Sequence, residues 1–382
     1  MHTRYLTVFA FLLAAPLQGG SAPQSTTKVP AADASPPYRI VKTIPLASDV
    51  RLPGPLAFDP SSRRLFVSAG KHLVVIDPDT GAIVSEIRGI DGASDIAVAP
   101  DLNRGFAVDA LSSQMVIFDT RTLAILQKVH TGEESSLVIY DPASKWILTF
   151  STYSKNCKVF DGTNGKLVQV LKLLAFPREG VIDSEGHVFF SVGKHAIRGP
   201  RPPAQIILGL QEPTIVGEEI LYDDPGEIME IDAHTLKVLN QWNEPQCVRM
   251  NSIGIDTVNH RLIARCKDSV AFIGTDSGKF FSAITFHGGR LVNLWFDAGL
   301  GDAFVSASPG PQLLVLHEYS ANKLMVSGKI SEKYSSQMAF DDTGRRFFTV
   351  QFDMKLLNSS FKIPVAAPGT FRVAVYAKNE AI

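Results

Sequence analysis

The chain is poor in cysteine, in net charge and in long apolar runs, and each shortage removes a class of protein. Cys157, Cys247 and Cys266 are its three cysteines among 382 residues. No C-x-x-C or C-x-x-C-H occurs, which removes a zinc ribbon and covalently attached c-type haem. An odd count allows at most one internal disulfide. The formal net charge is -1. Binding to a phosphate backbone needs clustered Lys and Arg, so nucleic acid is not the expected partner. The nine His are scattered and form no H-E-x-x-H. G-x-S-x-G is absent, so no hydrolase elbow is indicated, and no Walker or dinucleotide glycine pattern appears.

The N-terminal apolar run is short. Residues 6–17 are mostly apolar, interrupted by Thr7 and Pro16, and follow Arg4. This falls below the ~20 residues that a spanning helix needs. Gly20-Ser21-Ala22 then supplies the small residues of a cleavage site. Residues 1–22 therefore read as a secretory signal peptide, with no transmembrane segment left after its removal. The expected location is secreted or periplasmic. Residues 23–37, rich in Pro, Ala, Ser and Thr, read as a disordered linker.

What the chain does have is a repeat. A short strand ending in a turn recurs as Val74-Val75-Ile76-Asp77, Val116-Ile117-Phe118-Asp119 and Lys158-Val159-Phe160-Asp161, forty-two residues apart each time. It returns as Met229-Glu230-Ile231-Asp232, Ala271-Phe272-Ile273-Gly274, Leu314-Val315-Leu316-His317 and Ala374-Val375-Tyr376-Ala377. Asp, Thr, Asn and Gly after each strand do turn chemistry, so these acids read as turn-formers and not as catalytic groups. Each unit opens with another strand pair, such as Leu56-Ala57-Phe58-Asp59 before Arg64-Leu65-Phe66-Val67. Four short strands in some forty residues are the signature of a propeller blade. Residues 38–382 thus predict an all-β, seven-bladed β-propeller with four-stranded blades. Insertions at 196–226 and 354–370 interrupt blades 4 and 7. The last unit lacks a fourth strand. The segment Tyr38-Arg39-Ile40-Val41-Lys42-Thr43-Ile44 resembles fourth strands, so the N-terminal strand is expected to join the last blade and close the ring.

The units resemble the bacterial YVTN-type repeat, in the broad group of YncE-like proteins. The resemblance rests on Phe58-Asp59-Pro60, Arg64-Leu65-Phe66-Val67 and Val74-Val75-Ile76-Asp77-Pro78-Asp79-Thr80-Gly81, and spans residues 38–382. It implies the fold strongly and the function weakly. Members are commonly exported, some are associated with DNA, and relatives include lactonases and quinoprotein dehydrogenases.

Function in such a ring is expected where first strands open at the channel mouth. Aligning those positions gives Pro55, Asp95, Ser136, Glu179, Ser252, Asn293 and Gln337, with Arg178 and Asn251 one place earlier. The candidate ligand-binding set is Asp95, Ser136, Arg178, Glu179, Asn251, Ser252, Asn293 and Gln337. Asp95, Glu179 and Asn293 are hard oxygen donors suited to Ca²⁺ or Mg²⁺. The blander alternative is that any water-filled channel mouth is polar. No catalytic residue is singled out. Cys247 and Cys266 fall near the mouth ends of adjacent strands, where bridged and free forms both fit an oxidising compartment. Cys157 reads as a small buried hydrophobe.

The expected function is an exported, monomeric binding or scaffold protein. It would act through one face and its inserted loops on a protein partner or a small ligand at the mouth. The rival is a lactonase-like or other metal-assisted hydrolase at the same mouth. A quinoprotein-type redox subunit is weakened by the missing haem motif.

Overall fold

The structure is a computed structural model. It describes residues 36–47, 54–109, 112–132, 135, 137–195, 223–286, 290–308, 312–320, 323–331, 337–356 and 364–379. The expected signal peptide and nearly all of the expected linker lie outside the described residues, as do Ser136, 196–222 and 357–363. Among the described residues the regular elements are strands, arranged as seven four-stranded antiparallel sheets and one small hairpin.

Blade 1 shows the rule. Leu56–Asp59, Arg64–Ser68, His72–Asp77 and Ala82–Arg88 pair in sequence order. Each strand runs opposite to the last, so first strands start, and second strands end, on one face of the disc. First strands adjoin one another around the axis, blade 7 against blade 1. Side chains alternate between the two faces of a strand. Leu65 and Val67 therefore pack toward blade 7, while Phe66 packs toward blade 2. That is why second and third strands read as continuous apolar runs and not as alternating ones. The buried hydrophobics form seven clusters, one in each seam between neighbouring blades.

The ring closes as the repeat predicts: Tyr38–Pro45 pairs with Arg372–Lys378 at the outer edge of blade 7. Every fourth strand carries one extra residue against the third, and Val84, Leu126, Val168 and Leu239 are four of these bulges. Val41 is the same bulge in the N-terminal strand, which marks it as a true fourth strand. Bulges twist outer edges away from flat pairing with another chain. The insertion at 354–370 contains a short hairpin, Met354–Leu356 with Pro364–Ala366.

Polar staples cross several seams at one recurring place, the first residue of the second strand. Arg64 donates to the carbonyls of Thr120 (2.8 Å) and Arg121 (2.6 Å) in blade 2. Arg104 reaches Gly162 O at 2.7 Å in blade 3. Arg261 reaches Ser320 O at 3.4 Å in blade 6, and Arg346 bonds Asp79 in blade 1. Blade 6 reverses the charge: its Asp302 accepts from Lys378 at 2.9 Å and from Tyr38 in blade 7. Blade 3 has Trp146, packed on the apolar seam with blade 4. Blade 4 has His187 at this place.

Candidate site at the channel mouth

The mouth is built from irregularities in first strands. In blades 2, 4 and 6 the first strand bulges against the second, between Ala93 and Asp95, Pro177 and Glu179, and Leu291 and Leu294. A bulge re-aims the side chains at its ends. Asp95, Glu179 and Asn293 sit at these three places, which is where the aligned repeat puts them. In blade 3 the pairing of Leu137 with Phe150 puts Leu137, not Ser136, at the equivalent register position.

Asp95 accepts the backbone N–H of Ile96 and, across the seam, that of Val138, each at 2.9 Å. Protein packed around its carboxyl outweighs these two bonds and pushes it up to about 7. Glu179 is pushed up to about 8, first by burial and then by the Asp95 charge, with Arg265 opposing. Both side chains keep a little accessible surface, as groups on a channel wall do.

Arg265 is the member that sequence alignment of first strands missed. It ends the second strand of blade 5, is buried, and donates from Nη1 to Leu291 O of blade 6 at 3.2 Å. Counted from the start of the second strand, the other blades place Ser68, Val108, Phe150, Ser191, Ser306 and Val350 here. A lone charge in that series was the available signal. Asp95, Glu179 and Arg265 thus bring charges from blades 2, 4 and 5 into one field.

The remaining candidates divide. Asn251 accepts Ser191 Oγ–H at 2.6 Å through its carbonyl, tying blade 5 to blade 4. Ser252 is buried, and its carbonyl accepts Arg265 N–H at 2.8 Å. Asn293 donates its backbone N–H to Ser306 Oγ at 3.0 Å. Gln337 is half-buried at the opening of blade 7. Arg178 turns outward to the rim. It lies across Gly193, where a Cβ would meet Nη2 at 2.2 Å, and pairs with Asp224 at 3.5 Å. Burial draws its pKa down against Asp224 and Glu227.

Second strands end on the mouth face, so the described roots of both insertions lie there. The root of the first is fastened. Asp224 also bonds His195 at 3.0 Å, Lys194 pairs with Glu227 at 3.7 Å, and Asp223 pairs with Arg249 and, at 3.2 Å, with Lys267. Cys247 and Cys266 form a disulfide that pins the entry to blade 5 beside Arg265, and Cys157 is a buried free thiol. Oxygen donors for a hard cation are present in Asp95, Glu179 and Asn293. Both Asp95 oxygens already serve backbone donors. The arrangement offers paired acidic groups and a guanidinium to a polar ligand.

Fold and mouth together define a seven-bladed β-propeller with a charged, blade-specific opening. No family model matches this chain, and no curated protein matches its sequence. Solved structures do share the fold. A chain in the structure described as "Crystal Structure of Mitotic Checkpoint Complex" aligns with TM-score 0.64 and 11% identity, over 98% of this chain and 99% of that one. A chain of "Kuenenia stuttgartiensis Hydrazine Synthase" aligns with TM-score 0.60 and 12% identity, over 80% of this chain and 94% of that one. At such identity the likeness concerns fold alone. Among the described residues no helix is long and apolar enough to cross a membrane.

Proposed function

We propose that this protein is an exported binding propeller of the YVTN-type, YncE-like kind, secreted or periplasmic, that holds its partner on the insertion-bearing face. One observation carries the reading: Asp95, Glu179 and Arg265 converge on that face, at positions where the other blades place uncharged residues. A repeat spends most residues on seams and turns. Charges that depart from it, partly buried and fully blade-specific, are costly to keep and are characteristic of binding sites. The signal-like N-terminus and the disulfide fit an oxidising compartment. The metal-assisted hydrolase is not favoured, because Asp95 gives both oxygens to the backbone and Glu179 is held toward its neutral form.

The test is crosslinking capture by the immobilised protein in its native extract. It compares wild type with Glu179→Gln/Arg265→Ala and with a variant whose 196–222 and 357–363 segments are replaced by short Gly-Ser linkers. Both variants are expected to lose the species that wild type retains. Unchanged capture by both would sink the reading.

A further inference from the structure

The seam between blades 4 and 5 is one of three without an arginine at the staple position, on the face opposite the channel mouth. Blades 1, 2, 5 and 7 each send an arginine across to the next blade, whereas blade 4 has the shorter His187. A cleft of about 220 Å³ lies there, lined by His187 and, from the next blade, by His260 and Asp276. Four carboxylates (Asp183, Glu185, Glu230, Asp276) and two imidazoles line it, with no Lys or Arg among the lining residues.

We propose that this cleft binds a divalent transition-metal ion of the zinc class, with Asp183, Glu185 and His187 as its protein ligands. Their ligand atoms lie within 4.8 Å of one another. Glu185 is exposed, so rotating its side chain can close that spread toward metal–ligand distances of about 2 Å. An imidazole beside two carboxylates is the donor set of borderline ions such as Zn²⁺, whereas Ca²⁺ and Mg²⁺ take oxygen alone.

Asp183 by itself is a turn-former. One oxygen accepts the N–H groups of Glu185 and His187, as Asp59, Asp141 and Asp256 serve their own turns, and the other meets His187 Nδ1 at 2.9 Å, a contact that the ion would replace. What sets blade 4 apart is the rest of the cleft. Glu230 is 6% exposed and lies where the other six blades have Val75, Ile117, Val159, Phe272, Val315 and Val375. Its Oε2 accepts from Asn240 at 2.6 Å, and the residue faces the cleft. A carboxylate in an otherwise apolar series is expensive to bury, and a cation in the cleft offsets that cost. The arginine missing from this seam and the acid added to it occur together. This site lies across the disc from the channel mouth and does not rest on the binding reading above.

The experiment is calorimetric titration of Zn²⁺ into the purified full-length protein, with Ca²⁺ and Mg²⁺ in parallel. One Zn²⁺ per chain is expected, with no comparable heat from the other two ions. Glu185→Gln and His187→Ala should each weaken Zn²⁺ by at least about tenfold. Glu185→Gln alters an exposed side chain, so its thermal midpoint without metal should match wild type. His187→Arg supplies the side chain other seams use and should abolish binding while keeping the fold. Absence of Zn²⁺ binding, a preference for Ca²⁺ or Mg²⁺, or affinity unchanged in both Glu185→Gln and His187→Ala would overturn the proposal.

Discussion

One carboxylate oxygen of Asp95 accepts the backbone N–H of Val138 at 2.9 Å, joining the innermost strands of blades 2 and 3. The other accepts Ile96 N–H, also at 2.9 Å. Asp95 therefore holds the channel wall together as well as charging it. Asp95→Ala leaves buried donors unpaired, which costs about 1–3 kcal/mol for each. Asp95→Asn keeps one acceptor and should lose less. Chemical-denaturation midpoints of the three proteins check this order. Equal midpoints for wild type and Asp95→Ala would contradict it.

The mouth acids set a pH dependence of stability. Asp95 is raised from 3.8 to about 7 and Glu179 from 4.5 to about 8, burial being the largest cause in both. Glu244 and Asp297 move the same way, each to about 7. The folded state keeps protons that the unfolded chain has released. Their stabilisation is therefore complete below the unfolded pKa values of about 4, and is lost as pH rises through about 7 and 8. Thermal midpoints should fall between about pH 5 and pH 8 on this account. Glu179→Gln, which resembles the neutral acid, should flatten the slope. A rise across that window would refute the assignment.

The propeller was legible because turn chemistry repeats at a fixed spacing: Asp77, Asp119 and Asp161 each accept backbone N–H groups two and three residues on, or a side chain in place of one. The bulged N-terminal strand was legible for the same reason. The mouth was readable only in part. Asp95, Glu179 and Asn293 share a position along the first strand, so alignment finds them. Arg265 arrives from a second strand, and only the sheet register places it beside Glu179. In blade 3 the apolar run begins one residue earlier, at Leu137 itself, which is how Ser136 was aligned where Leu137 belongs. His187 and Glu230 were visible as departures from Arg and from an apolar series. Their meeting in one cleft depends on how two blades abut.

Thiol counting tests the disulfide. The chain has 3 Cys, of which Cys247 and Cys266 are bridged and Cys157 is buried. Titration in denaturant should find one thiol without reductant and three after reduction. The bridge spans 19 residues of sequence. Closing a loop of that size is worth about 3 kcal/mol through the unfolded chain. A Cys247→Ser/Cys266→Ser double variant should unfold at correspondingly lower denaturant. Three thiols before reduction would remove the bridge from the protein.

Two arginine pairs that look alike on paper should behave differently. Arg261 and Asp256 bond at 2.8 Å with side chains 0% and 1% exposed. Arg88 and Glu86 bond at 2.6 Å, but at 81% and 37% exposure. In water the gain from a pair is about 0–1 kcal/mol, because solvent already stabilises each charge. In the blade 5 seam no solvent can do so, and Arg261→Ala leaves Asp256 charged and enclosed, at a cost of about 3–5 kcal/mol. Arg88→Ala should therefore shift the unfolding midpoint little and Arg261→Ala a great deal. Asp256→Ala alone should also be severe, since Asp256 orders its turn through Val258 and Asn259 as well. The double variant removes both charges at once, so its loss should be smaller than the two single losses added, with a coupling of about 0.5–3 kcal/mol. Additive losses would mean that Arg261 holds the seam by packing on Phe272, 5.6 Å from its guanidinium carbon, and not by its charge.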